Sequence, residues 1–179
     1  MALRKVIVKG DPLLRKKSRE INEITDHIRR LAEDMWETMY DADGVGLAAP
    51  QVGVLRRLAV IDVTEIPDTE DEEGKESEEP KPEPEIVKYV LVNPEILEVS
   101  EEKVTTKEGC LSVPGFVGIV ERPAGVKVRA MDLDGNYFIV EGEGMLAKAL
   151  LHEIDHLEGV LYTDVAESVE EVEKESEDL

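Results

Sequence analysis

Residues 141–160 read EGEGMLAKALLHEIDHLEGV, and from about Glu143 their apolar positions follow a helical period: Met145, Leu146, Ala149, Leu150, Ile154 and Leu157. Gly159 is placed to end that helix as its C′ residue. The chain before it has a different rhythm. Short apolar or β-branched runs at 58–63, 86–92, 96–99, 102–107, 117–121, 126–131 and 137–140 predict strands. Asp134-Gly135 predicts a hairpin between the last two, and Asn93-Pro94 a turn after the second. Val6-Ile7-Val8 reads as a further short strand, closed by Gly10-Asp11-Pro12. A first helix is predicted from Ile24, Ile28, Leu31, Met35 and Met39, with Thr25 or Asp26 as N-cap and Asp43-Gly44 as its end. His27 lies off that apolar stripe and is expected to be exposed. Helix, many short antiparallel-type strands, then helix is an α+β order, not α/β.

The last predicted helix carries His152-Glu153-Ile154-Asp155-His156. Residues i and i+4 differ by about 40° around a helix and about 6 Å along it, so two imidazoles at that spacing share a face and can grip one ion. Glu153 beside them is placed to take a proton from a water activated by that ion. The chain has only three histidines, so two of them in this frame are a poor fit to chance. A catalytic ion needs a third protein ligand. Downstream, Tyr162 stands where one common protease pattern wants a third His, and Glu158 projects from another side of the helix. Upstream is the single thiol, in Glu108-Gly109-Cys110-Leu111-Ser112-Val113-Pro114-Gly115. Cys110 reads as an inert core residue, a nucleophile or the missing ligand. A third segment, Gly44-Val45-Gly46-Leu47-Ala48-Ala49-Pro50-Gln51-Val52-Gly53, is no phosphate loop, because no Gly-Lys-Ser/Thr follows. Its glycines permit close backbone approach, and Gln51, the only glutamine, has an amide that can donate to an oxyanion.

The 179 residues suggest one domain, residues 1–166, able to bury roughly 70% of its extended surface. One cysteine excludes an internal disulfide and fits a reducing compartment. No run approaches the ~20 apolar residues of a membrane helix, and the start lacks the features of a signal peptide, so the expected location is cytoplasmic. The net charge of −21 is uneven. Residues 65–85 hold 11 acids against 2 bases, and residues 167–179 hold 7 against 1. The first segment also holds Pro67, Pro80, Pro82 and Pro84, and is expected to be a long mobile insertion between strands. The second is expected to be a frayed acidic tail or a loose helix. The basic run Arg15-Lys16-Lys17-Ser18-Arg19 is too short for a nucleic-acid stripe, so no direct nucleic-acid binding is expected. Scarce Asn and Gln beside abundant Glu, Lys and Arg lean towards a thermophilic source.

Taken together and in order, GVGLAAPQVG at 44–53, EGCLSVPG at 108–115 and HEIDH at 152–156 resemble the three signature motifs of the peptide deformylases. The resemblance covers most of residues 1–165. It implies an α+β fold with the C-terminal helix in a cup of antiparallel strands, and a hydrolase that removes formyl from N-formylmethionine on new polypeptides. It implies that Cys110, His152 and His156 bind one divalent ion, ferrous iron first, with Zn2+, Ni2+ or Co2+ able to replace it. Glu153 would be the general base and acid. The Gln51 side chain and the Leu111 N–H would form the oxyanion hole, and Val45, Gly46 and Gly109 would contact substrate. Arg122 matches an arginine often found after the Cys motif and is expected to pair with an acid such as Asp155. The implied partners are nascent N-formylmethionyl peptides, with transient proximity to the ribosome. Leu151 stands where many members have Gln, and the acidic insertion is longer than usual for the family. The acidic tail is unlike a basic ribosome-binding extension, and docking on RNA through it would be electrostatically opposed. Two other readings stay open: a zinc metallopeptidase with an acidic third ligand, and an acidic binding protein with a structural ion.

Overall fold

The computed structural model describes residues 2–65 and 83–172. Most of the expected mobile insertion at 65–85, and the end of the acidic tail from 173, lie outside those residues. Five strands form an antiparallel sheet in the order β1 (Gly46–Ala48), β2 (Leu58–Asp62), β3 (Lys88–Val99), β6 (Gly125–Met131), β7 (Tyr137–Glu143). A second antiparallel sheet orders β4 (Lys103–Cys110), β5 (Val113–Pro123) and β8 (Ser168–Glu171). Helix α1 spans Asp26–Asp41, α2 spans Gly144–Leu157, and a single turn, α3, spans Tyr162–Val165. This is the α+β arrangement that the sequence order predicts.

Strand β2 shows why Leu58-Ala59-Val60-Ile61 is apolar throughout. Its two faces are covered by different helices, so neither can be polar. Leu58 and Val60 join the core under α1, with Leu31, Met35 and Met39. Ala59 and Ile61 join the core under α2, with Leu150, Leu151, Ile154 and Leu157. A third cluster, Leu14, Val113, Val120, Leu161 and Tyr162, fills the smaller sheet. Helix α1 starts where the threonine side chain accepts from an orphan amide, Thr25 Oγ1 from Ile28 N–H at 3.3 Å. His27 is exposed, as its position off the stripe implies. Helix α2 stops at Glu158, and Gly159 follows at φ +75°. A Cβ there would stand 2.5 Å from the Arg15 carbonyl oxygen, so only glycine fits this turn.

Three local expectations are overturned. Val6–Val8 is not a strand: it is extended and makes single bonds, Ile7 N–H to Gln51 C=O at 2.8 Å and Lys9 N–H to Ser112 C=O at 2.7 Å. Asn93-Pro94 is not a turn between two strands. It is a bulge inside β3, where pairing to β6 shifts between Val92 and Glu95. Asn93 takes φ +50°, and its amide bonds both backbone groups of Ile21 at 2.8 Å, which ties the N-terminal segment to the bulge. The tail after Ala166 is neither frayed nor helical at its start, because Ser168–Glu171 pair with Ile119–Phe116 of β5. Ser-Val-Glu-Glu, with one apolar residue, supplies too little apolar signal to show this from sequence.

Leu150 is fully buried where α2 crosses the large sheet, whereas Ile139 on β7 is 55% exposed. Leu150→Ala should cost about 2–5 kcal/mol, and Ile139→Ala should stay within about 0.5 kcal/mol. Urea unfolding of the two variants measures the difference; equal effects would contradict this placement of the helix.

Candidate metal centre and active-site cleft

The single thiol comes from the end of β4. Pairing with β5 slips between Glu108 and Cys110, and the slip turns Cys110 towards α2. Cys110 Sγ lies 3.3 Å from His156 Nε2, and the Nε2 atoms of His152 and His156 lie 3.2 Å apart. All three ligand atoms fall within 4.8 Å of one another. An ion with tetrahedral metal–nitrogen and metal–sulfur bonds needs about 3.3 Å between its nitrogens and about 3.6 Å between nitrogen and sulfur. These residues therefore fit a divalent ion. The acidic alternative for a third ligand is not favoured: among the described residues the ligand group is Cys110, His152 and His156, and Glu158 is engaged instead by Arg57 at 2.7 Å and Lys17 at 3.5 Å.

Behind the three ligands lies a buried charge network. Glu108 is almost fully buried, and Arg122 holds it with two bonds of 2.9 Å, Nε to Oε2 and Nη2 to Oε1. The third arm of Arg122 reaches Asp155 at 2.7 Å, which realises the expected pairing. Burial alone would raise the Glu108 pKa, but Arg122 and His152 hold it well below the usual carboxylate range. A carboxylate can only accept, so the 2.8 Å contact between Glu108 Oε1 and His152 Nδ1 places the proton on Nδ1. The Nε2 lone pair is then free for an ion. Burial opposes a charge on His152, yet Cys110, Glu108 and Glu153 outweigh it and push its pKa up to about 10. The same anionic field that favours a proton there favours a cation. His156 is the opposite case. Burial, then the positive charges of His152 and Arg122, drive its pKa well down, so its ring is neutral and ready to ligate.

The ligands open onto a cleft of about 340 Å³. Val45, Gly46, Gln51, Gly109, Cys110, Leu111, His152 and Glu153 all line it, and His156 lies buried beneath. Gln51 is fixed: its Oε1 accepts from Ala48 N–H at 2.9 Å, and its Nε2 donates to Ser112 Oγ at 3.1 Å and lies 3.5 Å from Cys110 Sγ. The extended residues Ile7 and Lys9 tie the Gln51 and Ser112 backbones together from outside. Gly46 must be glycine because of Glu153: an added Cβ would stand 2.5 Å from Glu153 Oε1. At Gly109 a Cβ would meet nothing among the described residues closer than 3.8 Å, and Gly109 lines the cleft, so what the missing side chain leaves clear is the cleft itself. Glu153 is buried, with no hydrogen-bond partner at Oε2 among the described residues. Burial first, with the charges of Glu108 and Asp155, raises its pKa to about 7 against the pull of His152. A carboxylate so placed suits general base work near neutral pH.

Sequence reasoning missed Glu108 as the orienting group of His152, although one signal was available. Glu108 stands two residues before Cys110, directly after the strand predicted at 102–107, and in an extended chain residues two apart share a face. It also missed Ser112 as the anchor of Gln51, and Asp43 and Lys148 at the cleft mouth. Nothing in their local pattern marks them. Among the described residues, no helix is long and apolar enough to cross a membrane.

A sequence profile described as polypeptide deformylase matches residues 3–172. The chain is 49% identical to a peptide deformylase of Finegoldia magna over 175 residues, 98% of this chain and 96% of that one. It is 51% identical to a peptide deformylase of Lachnoclostridium phytofermentans over 164 residues, 92% and 89% of the two chains. The crystal structure of Ehrlichia chaffeensis peptide deformylase in complex with actinonin superposes with a TM-score of 0.80 at 37% identity, covering 94% of this chain and 91% of that one.

Removing the Arg122 side chain would leave Glu108 buried and unpaired. Arg122→Ala should cost about 3–5 kcal/mol of stability and weaken ion binding roughly 10–100-fold. Thermal unfolding and competition with a chelator read the two effects separately; unchanged ion affinity would mean that the network does not hold His152.

Proposed function

The chain belongs to the polypeptide deformylase family, and from that premise we propose how its own residues carry the reaction. It is a hydrolase that removes the N-formyl group from nascent peptides. What most supports the assignment of roles is the convergence of Cys110, His152 and His156 beside the buried Glu153.

Cys110, His152 and His156 hold one divalent ion. When bound, it supplies Lewis acidity, lowering the pKa of a water and polarising the formyl oxygen. Glu153 takes the proton from the attacking water and later delivers it to the leaving amine nitrogen. Water adds to the formyl carbon, the carbon–nitrogen bond breaks, and formate and a free α-amine leave. Negative charge grows on the formyl oxygen, where Gln51 Nε2–H and the Leu111 N–H stabilise it. Ala48 and Ser112 hold the Gln51 amide in the cleft wall, and the N–H that lies on the Cys110 side is the one left to turn to the oxyanion. The loss of one such donor typically costs about 3–4 kcal/mol in the barrier. Gly46 lies against Glu153, and a tight cleft built by Gly46 and Gly109 would admit a formyl hydrogen and crowd an acetyl methyl. The methionine side chain enters past Val45 and the face of α2 that carries Met145 and Ala149.

The reading takes ferrous iron as the resident ion, as the family resemblance implies. Zn2+, Ni2+ and Co2+ accept the same donor set. It places the enzyme in the cytoplasm, transiently near the ribosome, where formylated chains emerge.

Glu153→Gln should lower kcat by about 10²–10⁴ while the ion content stays near one per chain. Formate release from a formyl-methionyl peptide, with metal analysis of the same sample, checks this; normal turnover would remove Glu153 from its role. Protein purified without oxygen should contain iron and lose activity in air, and indifference to air would argue for zinc. Cleavage of casein with no formate release would point to a peptidase instead.

A further inference from the structure

Residue 162 is a tyrosine that the mechanism leaves unused, and it is 1% exposed. Its ring stacks on the His152 imidazole, with centroids 6.1 Å apart and planes 26° from parallel. The small sheet makes room for that ring. At Gly118 on β5 an added Cβ would stand 2.7 Å from Tyr162 Cε2, so the glycine and the stack require each other. Leu14, Val113, Val120 and Leu161 pack around the ring and hold it rigid. Its hydroxyl, by contrast, is buried without a hydrogen-bond partner among the described residues.

His152 is held by Glu108 at one point of its ring. The bond from Nδ1 to Glu108 fixes the tautomer and that point, but it restrains the ring's tilt about Cβ–Cγ only within the angular tolerance of a hydrogen bond. A flat body against one face removes that freedom. His156 cannot supply it, because its ring meets His152 edge-on, at 70°. We propose that Tyr162 is a positioning residue for the metal centre, its ring holding the plane of His152 so that Nε2 stays aimed at the ion. The hydroxyl takes no part in this. The proposal rests on the reading of His152 as a ligand.

The test uses cobalt loaded into the metal-free full chain, followed by visible absorption and by the rate of cobalt loss to a chelator. The wild-type protein comes first: a sulfur-to-cobalt charge-transfer band is expected, and its absence would overturn the ligand reading itself, independently of any assay of formate. Tyr162→Phe keeps the ring. Its cobalt spectrum and loss rate should match the wild type, and its thermal stability should be equal or higher, because an unpaired buried hydroxyl has been removed. Tyr162→Leu should lose cobalt roughly tenfold faster, with altered ligand-field bands. A folded Tyr162→Leu protein with wild-type spectrum and loss rate would overturn the proposal, as would a Tyr162→Phe protein that loses cobalt as fast as Tyr162→Leu. Should Tyr162→Leu not fold, Gly118→Ala serves instead, since its methyl displaces the ring. Faster cobalt loss is expected there, and unchanged cobalt binding would overturn the proposal.

Discussion

One helix has to satisfy two surroundings at once, and the rest of the site follows from that constraint. Along α2, Leu150, Ile154 and Leu157 are drawn into the large sheet's core, which fixes the helix in rotation and height. With those settled, His152, Glu153 and His156 have no choice of direction. They face the end of β4, where the bulge after Glu108 delivers Cys110. Hydrophobic packing on one side therefore sets ligand geometry on the other to within the few tenths of an ångström that a metal site demands. The smaller sheet supplies the thiol, the larger one the platform, and α2 couples them.

Electrostatics completes what packing begins. Burying Glu108, Arg122, His152, Glu153 and Asp155 together is expensive for each alone. Glu108, Arg122, His152 and Asp155 form a chain in which each charge is hydrogen-bonded to a partner, with Glu153 beside it. Arg122 neutralises Glu108 and Asp155, Glu108 orients His152, and the remaining anionic field falls where a cation would sit. The same burial leaves Glu153 with a pKa near 7. Arg122 matters far from the chemistry because it lets a carboxylate stay ionised behind a ligand.

Much of this was legible in the sequence, for identifiable reasons. The helical pair His152 and His156 is visible because both lie on one element with a fixed period. Strand β2 is visible because a run buried on two faces carries only apolar residues. Cys110 stood out through scarcity, as the single thiol. What sequence hid was everything set by contacts across elements. Glu108 looked like one more acid in an acidic chain until Arg122 came across from β5. Tyr162 looked like a failed histidine until Gly118 gave its ring a place beside His152. The strand at Ser168–Glu171 was hidden by its own polarity, since an exposed edge needs no apolar pattern. Asn93-Pro94 misled because a bulge and a turn use the same residues, and only the partner strand decides between them.

The central claim is that sulfur from mid-chain and two imidazoles from α2 meet at one ion. X-ray absorption at the metal edge of the loaded protein tests it most directly. The account predicts one sulfur scatterer at about 2.3 Å and two imidazole nitrogens at about 2.0–2.1 Å, with a lighter exchangeable atom completing the shell. A first shell with no sulfur would contradict it.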